Sequence, residues 1–168
     1  MTVRALSGPA PRRTMSLRLQ RLADLGLTLP NPPPPGGNYL PFHRAGSLLY
    51  LPGTIASRNG ELLFRGKVGV ELTLEQGYEA ARLCALNLLA CVQAATGSLE
   101  SIQQVISVTG YVNCAAGFSD SPKVINGASD LLVALYGDAG RHVRAAVGVA
   151  GLPMNSAVEV QMIVELNG

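Results

Sequence analysis

The 168-residue chain has no tryptophan, few aromatics (5%) and little charge, with Asp, Glu, Lys and Arg together at 14%. Beside an apolar fraction of 48%, charge this sparse excludes a disordered chain. With a mean hydropathy of +0.26, it predicts apolar surface hidden in a subunit interface. No run approaches the ~18 consecutive apolar residues that a membrane helix requires, so no membrane partner is expected. Cysteine is scarce. Cys84, Cys91 and Cys114 are odd in number, and the first two share one helix face, which does not make a disulfide framework. There is no C-x-x-C, and the two histidines, His43 and His142, lie in different segments, so no metal site is expected. Glycine (19) and proline (11) are plentiful, but without a Gly-X-Y period collagen is excluded.

Charge is unevenly placed. Residues 1–37 hold five arginines against Asp24, a net +4, while residues 38–168 hold eight cations against ten acids, a net −2. A phosphate-backbone binder presents a basic face. This body has none by count, and no nucleic-acid partner is expected.

Three regions are expected. Residues 1–14 read as a disordered leader with no apolar core segment, hence no secretory signal. The leader carries Arg and no acid, which leaves an organellar transit peptide or an alternative start at Met15 open beside a cytoplasmic location. Residues 15–36 hold a short amphipathic helix, with Ser16 as N-cap and Leu17, Leu19, Leu22 and Leu25 at helical spacing. A polyproline spacer, Pro32 to Pro35, follows and ends at Gly36-Gly37. Residues 37–168 form the body.

Within the body, Ser47 to Leu51 reads as a buried strand. Asn59-Gly60 is a hairpin turn signal, with Leu62 to Phe64 as the strand after it. Thr73 and Gln76 fit a capping box that opens a helix running to about Ala95 and ending at Gly97. Val105 to Asn113 alternates as a strand. Ser121-Pro122 fits an N-cap followed by a first-turn proline, and that second helix runs to about Tyr136. Val143–Ala150 and Ala157–Leu166 are two β-rich runs. The predicted class is α+β, a mixed sheet with two helices on one face.

The last two runs carry the chemistry. Val143, Ala145, Val147 and Val149 alternate with Arg144, Ala146, Gly148 and Ala150; Val158, Val160 and Met162 alternate with Glu159 and Gln161. Alternation predicts that helices cover the valine faces and that Arg144 and Glu159 share the other side. A hairpin centred on Gly151-Leu152 would make them cross-strand neighbours. A surface ion pair would account for that spacing too, worth about 0–1 kcal/mol. On strands otherwise apolar, however, the two must be paired, solvated or engaged with a ligand.

Arg144 through Leu152-Pro153 to Val158-Glu159-Val160, with Gly37-Asn38-Tyr39, Gly53 and Asn126, resembles the reactive intermediate deaminase (Rid, or YjgF) family over residues 37–168. The resemblance implies a chorismate-mutase-like fold assembled as a barrel-like homotrimer, with a site between subunits and neither cofactor nor metal. It implies Arg144 as the anchor of a substrate carboxylate, Glu159 as the catalytic acid–base, and Tyr39, Asn126 and Gly53 around the substrate. The implied reaction hydrolyses 2-imino or enamine acids to 2-oxo acids and ammonia. Pro52 stands where that branch usually carries Ser, Ala146 where it often carries Cys, and Asn38 where it carries Pro. Two other readings stand beside this one: a non-catalytic homotrimer that binds small carboxylates, favoured by Pro52, and an endoribonuclease, disfavoured by the acidic body and the lack of a histidine pair. His43 and His142 read as lone structural or solvated imidazoles, and Cys114 as a small buried group.

Overall fold

The computed structural model describes residues 16–168; the expected leader, 1–14, lies outside them. Seven strands and three α-helices follow one another as α1 (Leu17–Asp24), β1 (His43–Ala45), β2 (Leu48–Ile55), β3 (Ser57–Arg58), β4 (Glu61–Leu62), α2 (Leu74–Thr96), β5 (Ile102–Asn113), α3 (Ser121–Tyr136), β6 (Val143–Val149) and β7 (Val158–Leu166). The class is α+β with a mixed sheet, as the patterning predicts. Five strands form that sheet in the order β1-β2-β7-β5-β6. The Asn59-Gly60 turn closes a separate two-stranded hairpin of β3 and β4, with φ of 52° and 85° at its two residues.

The helices begin and end where side-chain chemistry directs. Ser16 caps α1 through the Leu19 amide. The Thr73–Gln76 capping box is present on α2, and Gly97 ends that helix at φ 81°. On α3 the cap lies one residue earlier than predicted, at Asp120, because Ser121 already has a helical backbone and Pro122 needs no donor in the first turn. The central helix α2 is apolar on nearly every face. Leu83 to Val92 is buried without interruption, wedged between the sheet and α3.

Sheet order corrects one expectation. The β6 and β7 strands are not a hairpin: β5 lies between them, parallel to β6 and antiparallel to β7. A strand–helix–strand unit, β5-α3-β6, gives a parallel pair through a crossover, and that unit takes the edge position which the short loop after β6 would otherwise have given to β7.

The β7 face reads as predicted, with Val158, Val160, Met162 and Val164 buried. The β6 face is reversed. Val143 and Val147 point away from the helices, 71% and 44% exposed. Ala146 and Gly148 face α3 because there is no room for more: Gly110, the register partner of Ala146, lies against Ile125, and a methyl group on Gly148 would stand 2.7 Å from Cys114 Sγ.

Candidate active site

Arg144 lies on the helix-facing side of the edge strand β6. Its Nη1 donates to Asn126 Oδ1 at 2.8 Å and to Ser129 Oγ at 3.1 Å, and its Nη2 donates to the Pro122 carbonyl at 3.2 Å. Three of five N–H donors are thereby held by α3, which leaves Nε and one Nη2 hydrogen for an incoming group. A planar fork with two free donors is suited to a carboxylate.

Behind Ser129 stands His142, with Nε2 3.0 Å from the hydroxyl and Nδ1 2.7 Å from the Gly140 carbonyl. A carbonyl only accepts, so Nδ1 carries the proton and Nε2 accepts from Ser129. Burial pushes the His142 pKa down, aided by the Arg144 charge against the raising effect of the Gly140 contact, which keeps the ring in that neutral form. His142 is thus the end of a chain that aims the guanidinium, not a lone imidazole. Sequence reasoning missed Ser129. Its signal was the i,i+3 spacing from Asn126, which places both on one helix face.

Glu159 occupies the opposite sheet face, in a row that runs Ile55, Glu159, Tyr111, Val147 across β2, β7, β5 and β6. Burial raises its carboxyl pKa above the ordinary value, and it forms no salt bridge among the described residues. Gly53 makes room for it: a Cβ there would sit 2.0 Å from Glu159 Oε1. A pocket of about 920 Å³ opens over this carboxyl, with Tyr39, Pro52, Gly53 and Met154 among its walls. Tyr39 is half exposed, and its hydroxyl accepts from the Gly36 amide at 2.9 Å. Cys91 also reaches the pocket, but burial pushes its thiol up to about 11, which leaves it protonated and inert at neutral pH.

The five predicted residues therefore form two half-sites. Arg144 and Asn126 make one; Glu159, Gly53 and Tyr39 make the other. Within one chain Arg144 is level with Val108, and Glu159 with Tyr111, on the far side of β5. Strand spacing and rise put their Cα atoms roughly 14 Å apart, and the odd three-residue offset puts them on opposite faces. The predicted cross-strand contact is not made. Among the described residues, no group of three or more His, Cys, Asp or Glu could hold a metal ion, and no helix is long and apolar enough to cross a membrane.

Residues 19–166 match the family described as "YjgF/chorismate mutase-like, putative endoribonuclease". Protein TCP17 of Trypanosoma cruzi is 40% identical over 87% of this chain and 92% of its own. Among solved structures, the protein Atu1372 of Agrobacterium tumefaciens, of unknown function, is 42% identical with a TM-score of 0.84 over 90% of this chain and 94% of its own. A Shewanella oneidensis protein, described like the family as an endoribonuclease, is 37% identical with a TM-score of 0.85 over 89% and 99%. RidA of an Antarctic Psychrobacter is more distant, at 25% identity and a TM-score of 0.56 over 80% and 93%.

Proposed function

The chain belongs to the YjgF/chorismate mutase-like family, and from that membership we propose that it hydrolyses 2-imino acids to 2-oxo acids and ammonia at a site shared between two copies of the chain. One observation carries the reading: Arg144 has two free donors on a fixed fork, while Glu159, its pKa raised, lies on the opposite face. A 2-imino acid bonds its carboxylate carbon directly to its imine carbon, so one protomer cannot serve both ends. A second copy can.

The outer sheet face favours such an assembly. Tyr50, Ile163, Ser107 and Val143 form one register row on it, and Tyr50 and Val143 are 41% and 71% exposed. Exposed apolar side chains at both ends of this row, with Val147 exposed on the same face, suit an interaction site, and a closed ring of three copies is the assembly we infer.

In the reaction Arg144 binds the carboxylate and orients the imine. The Glu159 carboxylate takes a proton from a water as its oxygen attacks the imine carbon. The tetrahedral carbinolamine receives that proton on nitrogen; the Glu159 carboxylate then takes the hydroxyl proton as the carbonyl forms and passes it to the departing nitrogen, so that ammonia leaves and the 2-oxo acid remains. A carboxyl whose pKa is raised toward working pH suits both directions of transfer. A net charge of −2 over residues 38–168 does not favour the endoribonuclease reading.

The test supplies 2-imino acids generated in situ by an amino-acid oxidase and measures their decay. The wild-type protein accelerates it. Arg144→Ala lowers kcat/KM by about 10²-fold or more, and Glu159→Gln lowers kcat by about 10²–10⁴-fold. Unchanged hydrolysis in either variant rejects the assignment. Binding of 2-oxo acids without any turnover in the wild-type protein supports the non-catalytic reading instead.

A further inference from the structure

The pocket over Glu159 is walled on one side by the polyproline segment. That segment is held in place at both ends. Before it, α1 docks by burying Leu22 and by donating from Arg21 Nη1 to the Leu135 carbonyl, and Leu27 and Leu29 pack on the core. After it, Phe42 packs on the core as well. Between these anchors, Asn31 to Gly36 runs along the mouth of the pocket. Four successive prolines have no amide N–H to pair with a strand and hold an extended, stiff backbone, so the segment is a strap and not a loose loop.

The interior of the pocket is chemically uniform. Of its twenty lining residues seven are prolines, and Glu159 alone carries a charge. Its deeper polar side chains are directed elsewhere: Asn87 Nδ2 donates to the Ile55 and Ser57 carbonyls, and the Thr54 hydroxyl donates to the Cys84 carbonyl. Ile55, Cys91, Met154 and proline rings supply most of the remaining surface. At about 920 Å³ it lies at the upper end of small-molecule sites. In the shared site part of that volume is taken by the second copy's Arg144 and the substrate carboxylate; a methyl side chain beside Glu159 would still leave the strap and α2 walls without contact atoms, and such walls forfeit their dispersion attraction.

We propose that the strap and the α2 wall form a side-chain pocket that selects 2-imino acids with a large apolar substituent, of the branched-chain or aromatic kind, over those with a methyl group. This rests on the imine-hydrolysis reading for its reactive end and adds the identity of the side chain. Each buried methylene contributes about 0.8 kcal/mol, near fourfold in affinity, so an isobutyl group with three more carbons than methyl has a ceiling near sixtyfold.

Two readouts on the full chain test it: calorimetric binding of pyruvate, 4-methyl-2-oxopentanoate and phenylpyruvate, and hydrolysis of the imines generated from alanine, leucine and phenylalanine. The larger acids bind at least about tenfold more tightly than pyruvate, and kcat/KM follows the same order. In a variant with Pro32 to Pro35 replaced by Gly-Ser-Gly-Ser, the preference for the larger acids falls to about twofold. Three of these four prolines are exposed, so the fold is retained, and an unchanged far-ultraviolet spectrum checks that. Hydrolysis without a size preference, or a preference that survives the strap replacement, overturns the proposal and leaves the deaminase reading standing. Size-selective binding with no hydrolysis of any imine does the reverse. No binding and no hydrolysis overturns both.

Discussion

Ser129 tests how the anchor is held. Its hydroxyl accepts from Arg144 and donates to His142, so Ser129→Ala removes one restraint from the guanidinium while leaving Asn126 and Pro122 in place. A hydrogen bond to a charged group is worth about 1.5–3 kcal/mol when buried and less where water competes. The expected outcome is a rise in KM of roughly five- to tenfold with kcat within about twofold, and Ser129→Thr restores the wild-type value. A fall in kcat with KM unchanged would show that Ser129 does not act through substrate binding. Glu159 gives a prediction of a different kind. Burial raises its pKa above 4.5, so the folded chain holds its proton more tightly than the unfolded chain does. Stability linked to this group is complete below the unfolded value and is lost as pH rises through the folded value. Glu159→Gln cannot ionise. The variant therefore melts at a higher temperature than the wild type at pH 7–8, and the gap closes near pH 4. A gap of equal size at both pH values contradicts the burial assignment. The site residues themselves were visible in the sequence as types at a spacing. Their grouping was not, because a residue's face depends on which strand pairs with its own.

At the scale of elements, the local signals read well. The Thr73–Gln76 box, Gly97 at positive φ and the Asn59-Gly60 turn all act through neighbours within four residues, and each is found where the spacing put it. The strand β1 was not expected; His43 to Ala45 is exposed throughout and carries no alternation to read. The pairing of β6 with β7 failed because a six-residue loop, Gly151 to Ser156, suggests a hairpin by proximity alone. The β5-α3-β6 order was the stronger signal, since a crossover helix brings its flanking strands parallel. Close helix packing is likewise written in a small residue whose partner lies far away in sequence. A Cβ on Gly127 of α3 would stand 1.9 Å from the Tyr78 carbonyl oxygen of α2. Gly127→Ala therefore forces the two helices apart at a cost of about 1–3 kcal/mol. Thermal denaturation should show a loss of several degrees with the helical signal intact before melting; an unchanged midpoint would mean that the α2–α3 contact yields freely.

At the scale of the whole molecule, the sheet divides the chemistry. The helix side holds Arg144 with two free donors, and the outer side holds Glu159 in a row with Ile55, Tyr111 and Val147. Low charge and positive hydropathy predict surface reserved for another copy, but nothing in one sequence tells which two faces would meet. In the proposed ring the Arg144 half-site of one copy meets the Glu159 half-site of the next. Co-expression of Arg144→Ala with Glu159→Gln at equal levels measures that junction directly. In randomly mixed rings of three, each mixed ring restores one site of three, so the preparation should recover about a quarter of wild-type imine hydrolysis although both parents are inactive. Activity no greater than that of the parents, in rings shown to be mixed, would contradict the shared site.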